Sequence, residues 1–212
     1  MANRINKIET RIYRDGIGID SEVLEKFSVS TSTTRVMYSA YLSHTQLKER
    51  TARLTELGLL EKNKESFSTT KKGRLFVEIY KEIARLYFPE TNANSAAVKS
   101  LLNTKISAPA TQDTEEPQSG RKYRAQLEID GQILDNLSAK KTRTQAMYNN
   151  YLSFAQLRKL DELVDSGLLN KSGEGAKKFY EVTAKGSAFF QLYSKLMVLY
   201  NPKSELIEAK RG

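Results

Sequence analysis

The chain has 212 residues, 39% of them hydrophobic, enough for one large domain or two small ones that each bury a core. Its 34 lysines and arginines against 25 aspartates and glutamates leave a net charge of +9, which favours a polyanionic partner, either nucleic acid or an acidic membrane surface. With no cysteine and a single histidine, the sequence excludes disulfides, the usual Cys/His zinc sites and a cysteine nucleophile, and its want of a long apolar run or a secretory signal predicts a soluble, cytoplasmic protein.

In chain order, Ile5, Ile8 and Ile12 have the spacing of a short first helix, and Ile17 to Phe27 supply a second, weakened at its start by Gly16 and Gly18. Thr34 to Tyr41 place Met37, Tyr38 and Tyr41 on a short helix. In the following Leu42-Ser43-His44-Thr45-Gln46-Leu47, Ser43 is an N-cap with Gln46 three residues on, and Leu42 and Leu47 form a hydrophobic staple. The helix so started aligns Leu47, Thr51, Leu54 and Leu57 on one face and stops at Gly58, which accepts the left-handed C′ conformation. Leu59 to Lys62 and Phe67 to Thr69 read as a hairpin. The last helix, from Leu75 to Tyr87, is apolar around much of its circumference and predicts packing against more than its own domain.

The same order then recurs 110 positions later: Met147 to Leu157 repeat the Met-Tyr-x-x-Tyr-Leu-Ser-x-x-Gln-Leu of Met37 to Leu47, Gly167 faces Gly58, and Thr183, Lys185 and Gly186 face Thr70, Lys72 and Gly73. Copy two lacks one residue before Gly167 and gains four in the hairpin turn. Its capped start, Ser153 with Gln156, is expected to match copy one element for element. These alignments predict a domain over 1–89 that includes the extra N-terminal helix, a linker over 90–120, and a second domain over 121–212. The linker is rich in Ser, Thr, Ala, Asn and Pro; its first half, from Ser95, can form a short helix with Val98, Leu101 and Leu102 on one side. Both copies carry a positive excess and the linker a negative one.

The fold class expected is mainly α with small β wings, two tandem winged helix-turn-helix domains. The motifs Y-R-x-x-[IL]-x-I-D, T-x-x-M-Y-x-x-Y-L-S-x-x-Q-L, G-L-L and T-x-K-G-x-x-F, present in both copies, resemble an archaeal winged helix-turn-helix DNA-binding domain family described as predicted transcriptional regulators, similar to the Sulfolobus coiled-coil winged-helix DNA-binding proteins. The resemblance implies double-stranded DNA as partner and dimerisation through the last helix. This chain departs from it by carrying two copies and shorter final helices, so the copies can stand in for a dimer. Inter-repeat or homodimer packing through Phe76, Ile79, Tyr80 and Ile83 with Phe189, Leu192, Tyr193 and Leu196 is set against each helix completing only its own core.

A winged helix lays its capped helix in the major groove and its wing on the backbone or in the minor groove. The candidate DNA contacts are therefore His44, Thr45, Lys48, Glu49 and Arg53 in copy one, and Phe154, Arg158 and Lys159 in copy two. Wing lysines Lys62, Lys64, Lys171, Lys177 and Lys178 are candidates for phosphate, as are Arg35 and Arg143 at the start of the preceding helices. Tyr38, Tyr41, Tyr148 and Tyr151 read as core or corner residues with a hydroxyl in reach of phosphate. A flexible linker of about thirty residues spans roughly 30 Å, close to the ~34 Å between successive major-groove faces. No phosphate loop, metal cluster or nucleophile–base pair is found, so no enzyme and no cofactor are expected. The functions left are a transcriptional regulator bound to adjacent major grooves, a protein-interaction scaffold of the transcription machinery, and a non-specific chromatin protein of the nucleoid.

Overall fold

The computed structural model describes residues 15–29, 32–63, 66–87, 96–104, 126–137, 139–173 and 178–200. The expected N-terminal helix with Ile5, Ile8 and Ile12, the motif residues Tyr13, Arg14, Tyr123 and Arg124, and the wing residues Lys64 and Lys177 lie outside them.

Helix α1, Gly16–Val29, begins where Asp15 Oδ1 accepts the Gly18 N–H at 2.7 Å, so a side-chain cap offsets the glycine-weakened start. Its buried side includes Val23, Leu24 and Phe27. Helix α2, Thr33–Ser39, is capped by Ser32, whose hydroxyl accepts the Arg35 N–H. It stops at a sharp corner, and α3, His44–Glu56, follows with the expected capping box: Ser43 accepts from the Gln46 backbone while the Gln46 side chain accepts from Ser43 N–H. Leu47, Thr51 and Leu54 are buried on its inner face. Strands β1, Leu60–Asn63, and β2, Ser66–Thr69, pair antiparallel with Leu60 opposite Thr69, and α4, Lys71–Leu86, completes the copy.

The T-x-K-G motif explains how the wing is tied down. Thr70 Oγ1 donates to the Gly58 carbonyl at 2.8 Å and accepts the Gly73 N–H at 3.0 Å, while Lys72 Nζ donates to the Leu57 carbonyl at 2.7 Å. A cation thus sits on the orphan carbonyls at the end of α3, where the helix dipole is negative. Burial lowers the pKa of that Lys72 ammonium. Gly73 allows the approach, because a Cβ there would lie 2.2 Å from the Leu59 carbonyl oxygen. Thr183, Lys185 and Gly186 repeat each contact on Gly167, Ser166 and Leu168.

Between the copies, α5, Ala96–Asn103, buries Val98 and Leu101, so the first half of the expected linker is a packed helix and the reach of a fully flexible linker does not apply to it. Copy two runs α6, Gln126–Asn136; β3, Lys141–Thr142; α7, Arg143–Asn149; a 3-10 turn, Phe154–Leu157; α8, Arg158–Asp165; β4, Leu169–Ser172; β5, Phe179–Val182; and α9, Ala184–Tyr200. Its wing gains a strand the sequence did not announce: β3 pairs with β5, giving the order β3-β5-β4.

The chain divides into two compact units that are discontinuous in sequence. One draws its described residues from Tyr13–Lys81 and Lys195–Gly212, the other from Glu82–Thr104 and Arg124–Ser194. In the first, Tyr200 Oη donates to the buried Asp20 carboxylate at 2.5 Å and its ring stacks on Phe76 at 5.6 Å between centroids. In the second, Tyr87 Oη donates to the buried Asp130 at 2.5 Å and its ring meets Phe189 edge-on at 5.1 Å. Each copy's first helix is therefore completed by the end of the other copy's last helix. Phe76, Ile79, Tyr80 and Ile83 are fully buried, as are Phe189, Leu192 and Leu196.

Candidate nucleic-acid interface

The capping box decides what α3 presents. With Leu47, Thr51 and Leu54 turned inward, His44, Thr45, Lys48 and Glu49 are exposed on the opposite side, and Arg53 continues that side with its guanidinium 4.4 Å above the Tyr200 ring. Arg50, one residue past Glu49, faces the interior: it donates to Asp20 Oδ1 at 2.5 Å and to the Gly16 carbonyl at 3.1 Å. Asp20 holds α1, α3 and Tyr200 at one buried carboxylate.

In copy two the same task falls to Lys159, whose ammonium lies 3.7 Å from Asp130 Oδ1 and 2.9 Å from Glu162 Oε2, with only 16% of the side chain exposed. Burial raises the pKa of Asp130, which Lys159 and the hydrogen bonds from Tyr87 and Gln126 partly counter. Lys159 therefore corresponds to Arg50, and, contrary to its expected place among the DNA contacts, it does not stand on the exposed side.

The missing residue explains the shift. Arg50 lies seven residues beyond Ser43, two turns of α-helix; Lys159 lies six beyond Ser153, the length of two turns at three residues each. Copy two meets the geometry by starting with a 3-10 turn, and α8 begins at Arg158 with Leu157 at its N-cap position and no side-chain cap bond there. A capping box also stands one helix earlier, where Thr142 and Gln145 exchange both bonds at the head of α7.

Of the remaining candidates of copy two, Arg143, Arg158 and Lys171 are bridged to acids. Phe154 stands 82% exposed at the 3-10 tip. Arg158 Nε is 3.3 Å from Glu162 Oε1, and Arg143 is 3.9 Å from Asp161 Oδ2. Lys171 Nζ donates to Asp161 Oδ1 at 2.9 Å, which raises its pKa. Lys178 on the wing of copy two is exposed, as are Lys62 on β1 and Arg35 on α2. Among the described residues no ion pair engages Lys48, Lys62, Lys178 or Arg35. Copy one therefore presents the more open positive surface.

From their sequence positions Tyr38, Tyr41, Tyr148 and Tyr151 are expected in the core or at the corner. They are at the corner and not in the core: all four are exposed, and Tyr41 and Tyr151 hold left-handed backbone at φ 51° and 52°. Their repetition and spacing were visible; their direction was not.

A winged helix-turn-helix family model matches residues 13–88 and again residues 123–200. The chain belongs to the winged helix-turn-helix family. Two winged helix-turn-helix copies in tandem, with small antiparallel wings, agree with the fold expected from the repeat. Among solved structures, that of Sso10a-2, described as a DNA-binding protein from Sulfolobus solfataricus, is similar at 30% sequence identity over 42% of this chain and 90% of that one, with a TM-score of 0.34. No curated protein matches the chain. No described helix is long and apolar enough to cross a membrane.

Proposed function

We propose that the protein binds double-stranded DNA through its two winged helix-turn-helix copies, on adjacent major grooves, and acts as a transcriptional regulator of the nucleoid rather than as an enzyme. The observation that carries this reading is the exposed side of α3, where His44, Thr45, Lys48 and Glu49 project from a rigidly capped helix start while the other side is buried. A recognition helix contacts base edges with its N-terminal residues. Lys48 is the side chain we assign to guanine or phosphate, and Lys62 and Arg35 to flanking phosphates. In copy two Arg158, Arg143, Lys171 and Lys178 are the assigned phosphate contacts and Phe154 the tip residue, whereas Lys159 supports the helix from inside. The excess of nine positive charges supports a polyanion as partner.

Binding to a labelled duplex across a salt series tests the reading. The expected result is an affinity that falls linearly on a log–log plot, with the slope reduced by about one in Lys48→Ala. Binding that ignores salt, or none at low salt, sinks it and leaves the protein-interaction scaffold. Selection from a random pool is expected to return a motif whose stronger half is read by copy one. A pool returned unchanged assigns the protein to non-specific DNA coating instead.

A further inference from the structure

The backbone makes the same helix ending four times. At the end of α3, Gly58 N–H bonds to the Thr55 carbonyl and Leu59 N–H to the Leu54 carbonyl, with Gly58 at φ 67°; Gly167 does the same after α8 at φ 75°. This is the Schellman arrangement, whose left-handed C′ position favours glycine. At the end of α2, Tyr41 N–H bonds to the Tyr38 carbonyl and Leu42 N–H to the Met37 carbonyl, and after α7 Tyr151 and Leu152 bond likewise to Tyr148 and Met147. There the left-handed position holds tyrosine, in both copies.

A bulky residue at positive φ is strained. Burial in the core does not offset it, because Tyr41 and Tyr151 are each 87% exposed. Other residues identical between the copies, such as Leu47 with Leu157 or Phe76 with Phe189, are buried and explained by the core. Tyr38 and Tyr148, at 71% and 68% exposure, stand three residues before the strained tyrosines, and with Phe154 these make five of the six large apolar side chains that the described residues expose. Every one of the five adjoins the corner that leads into the reading helix.

We infer that the pairs Tyr38–Tyr41 and Tyr148–Tyr151 are a binding site for the sugar-phosphate backbone of duplex DNA at the wall of the major groove. The inference rests on the DNA-binding reading above and extends it to residues outside the charged set. In a helix-turn-helix the first helix of the motif crosses the backbone and the second enters the groove, so the corner between them borders the groove wall. Tyrosine suits that place: the ring covers deoxyribose and the Oη hydrogen donates to a phosphate oxygen. Arg35, exposed one helical turn before Tyr38, adds a cation on the same side of copy one.

The test uses the full chain. In Tyr41→Gly with Tyr151→Gly, relief of backbone strain is expected to raise Tm by a few degrees while affinity for a labelled duplex falls about tenfold. The salt slope is expected to hold, since no cation is removed. Tyr→Phe at all four positions keeps the rings and is expected to lower affinity by about fivefold through the lost hydroxyls. A glycine variant that melts lower, or one that binds as the parent does, overturns the inference, as does a phenylalanine variant of unchanged affinity for its hydroxyl contact. Failure of the parent chain itself to bind duplex DNA overturns the DNA-binding reading as a whole, so the two failures are told apart.

Discussion

Gly73 and Gly58 are both fixed by the backbone, but for different reasons. At Gly73 a Cβ would meet the Leu59 carbonyl oxygen at 2.2 Å, and backbone has little room to move; at Gly58 nothing lies within 4 Å and only the positive φ resists a side chain. Gly73→Ala is therefore expected to cost about 3 kcal/mol by displacing α4 from the end of α3, and Gly58→Ala about 1 kcal/mol. Urea denaturation of the two variants checks the order, and a reversed order would show that the Thr70–Gly73 clasp yields easily. Thr70, Lys72 and Gly73 were visible in the sequence as a repeated motif. Their joint role was not, since it depends on a carbonyl contributed from more than ten residues away.

Among the elements, the reading helices show where local pattern succeeds and where it misleads. The Ser-x-x-Gln spacing at Ser43 forms its capping box, and Ser43→Ala is expected to lower stability by about 1 kcal/mol. Thr142→Ala at the head of α7 should cost a similar amount, by the same denaturation measurement. The identical spacing at Ser153 leads into a 3-10 turn, because the helix beyond it must bring Lys159 to Asp130 with one residue fewer. A capping pattern reports on three neighbours, whereas the winding of a helix also answers to the carboxylate it has to reach. Helix order, wing and glycine stops were legible for the complementary reason: each depends on nearest neighbours and on a period. The outward direction of the tyrosines was not, because a Tyr at helical spacing fits a core and a surface equally well.

For the whole molecule, each unit depends on residues far along the chain. Leu196, Leu199 and Tyr200 are buried in the unit that contains α1, α2 and α3. At about 2 kcal/mol per buried apolar side chain, their loss approaches the total stability of a small domain. A chain ended after Ser194 is expected to lose amide-exchange protection over α1 and α3 while α6 and α8 keep theirs. Equal protection in both halves would mean that copy one stands without them.

The bond from Tyr200 to Asp20 spans 180 positions of sequence, and that distance sets an order of events during synthesis. At a translation rate of 5–20 residues per second, residues 15–81 emerge roughly ten seconds before residue 200. During that interval α1 and α3 hold Asp20 without its tyrosine, and the closing contact is of the long-range kind that forms slowly. The half of the protein made first is the half finished last, and a ribosome paused in copy two would carry an incomplete first copy.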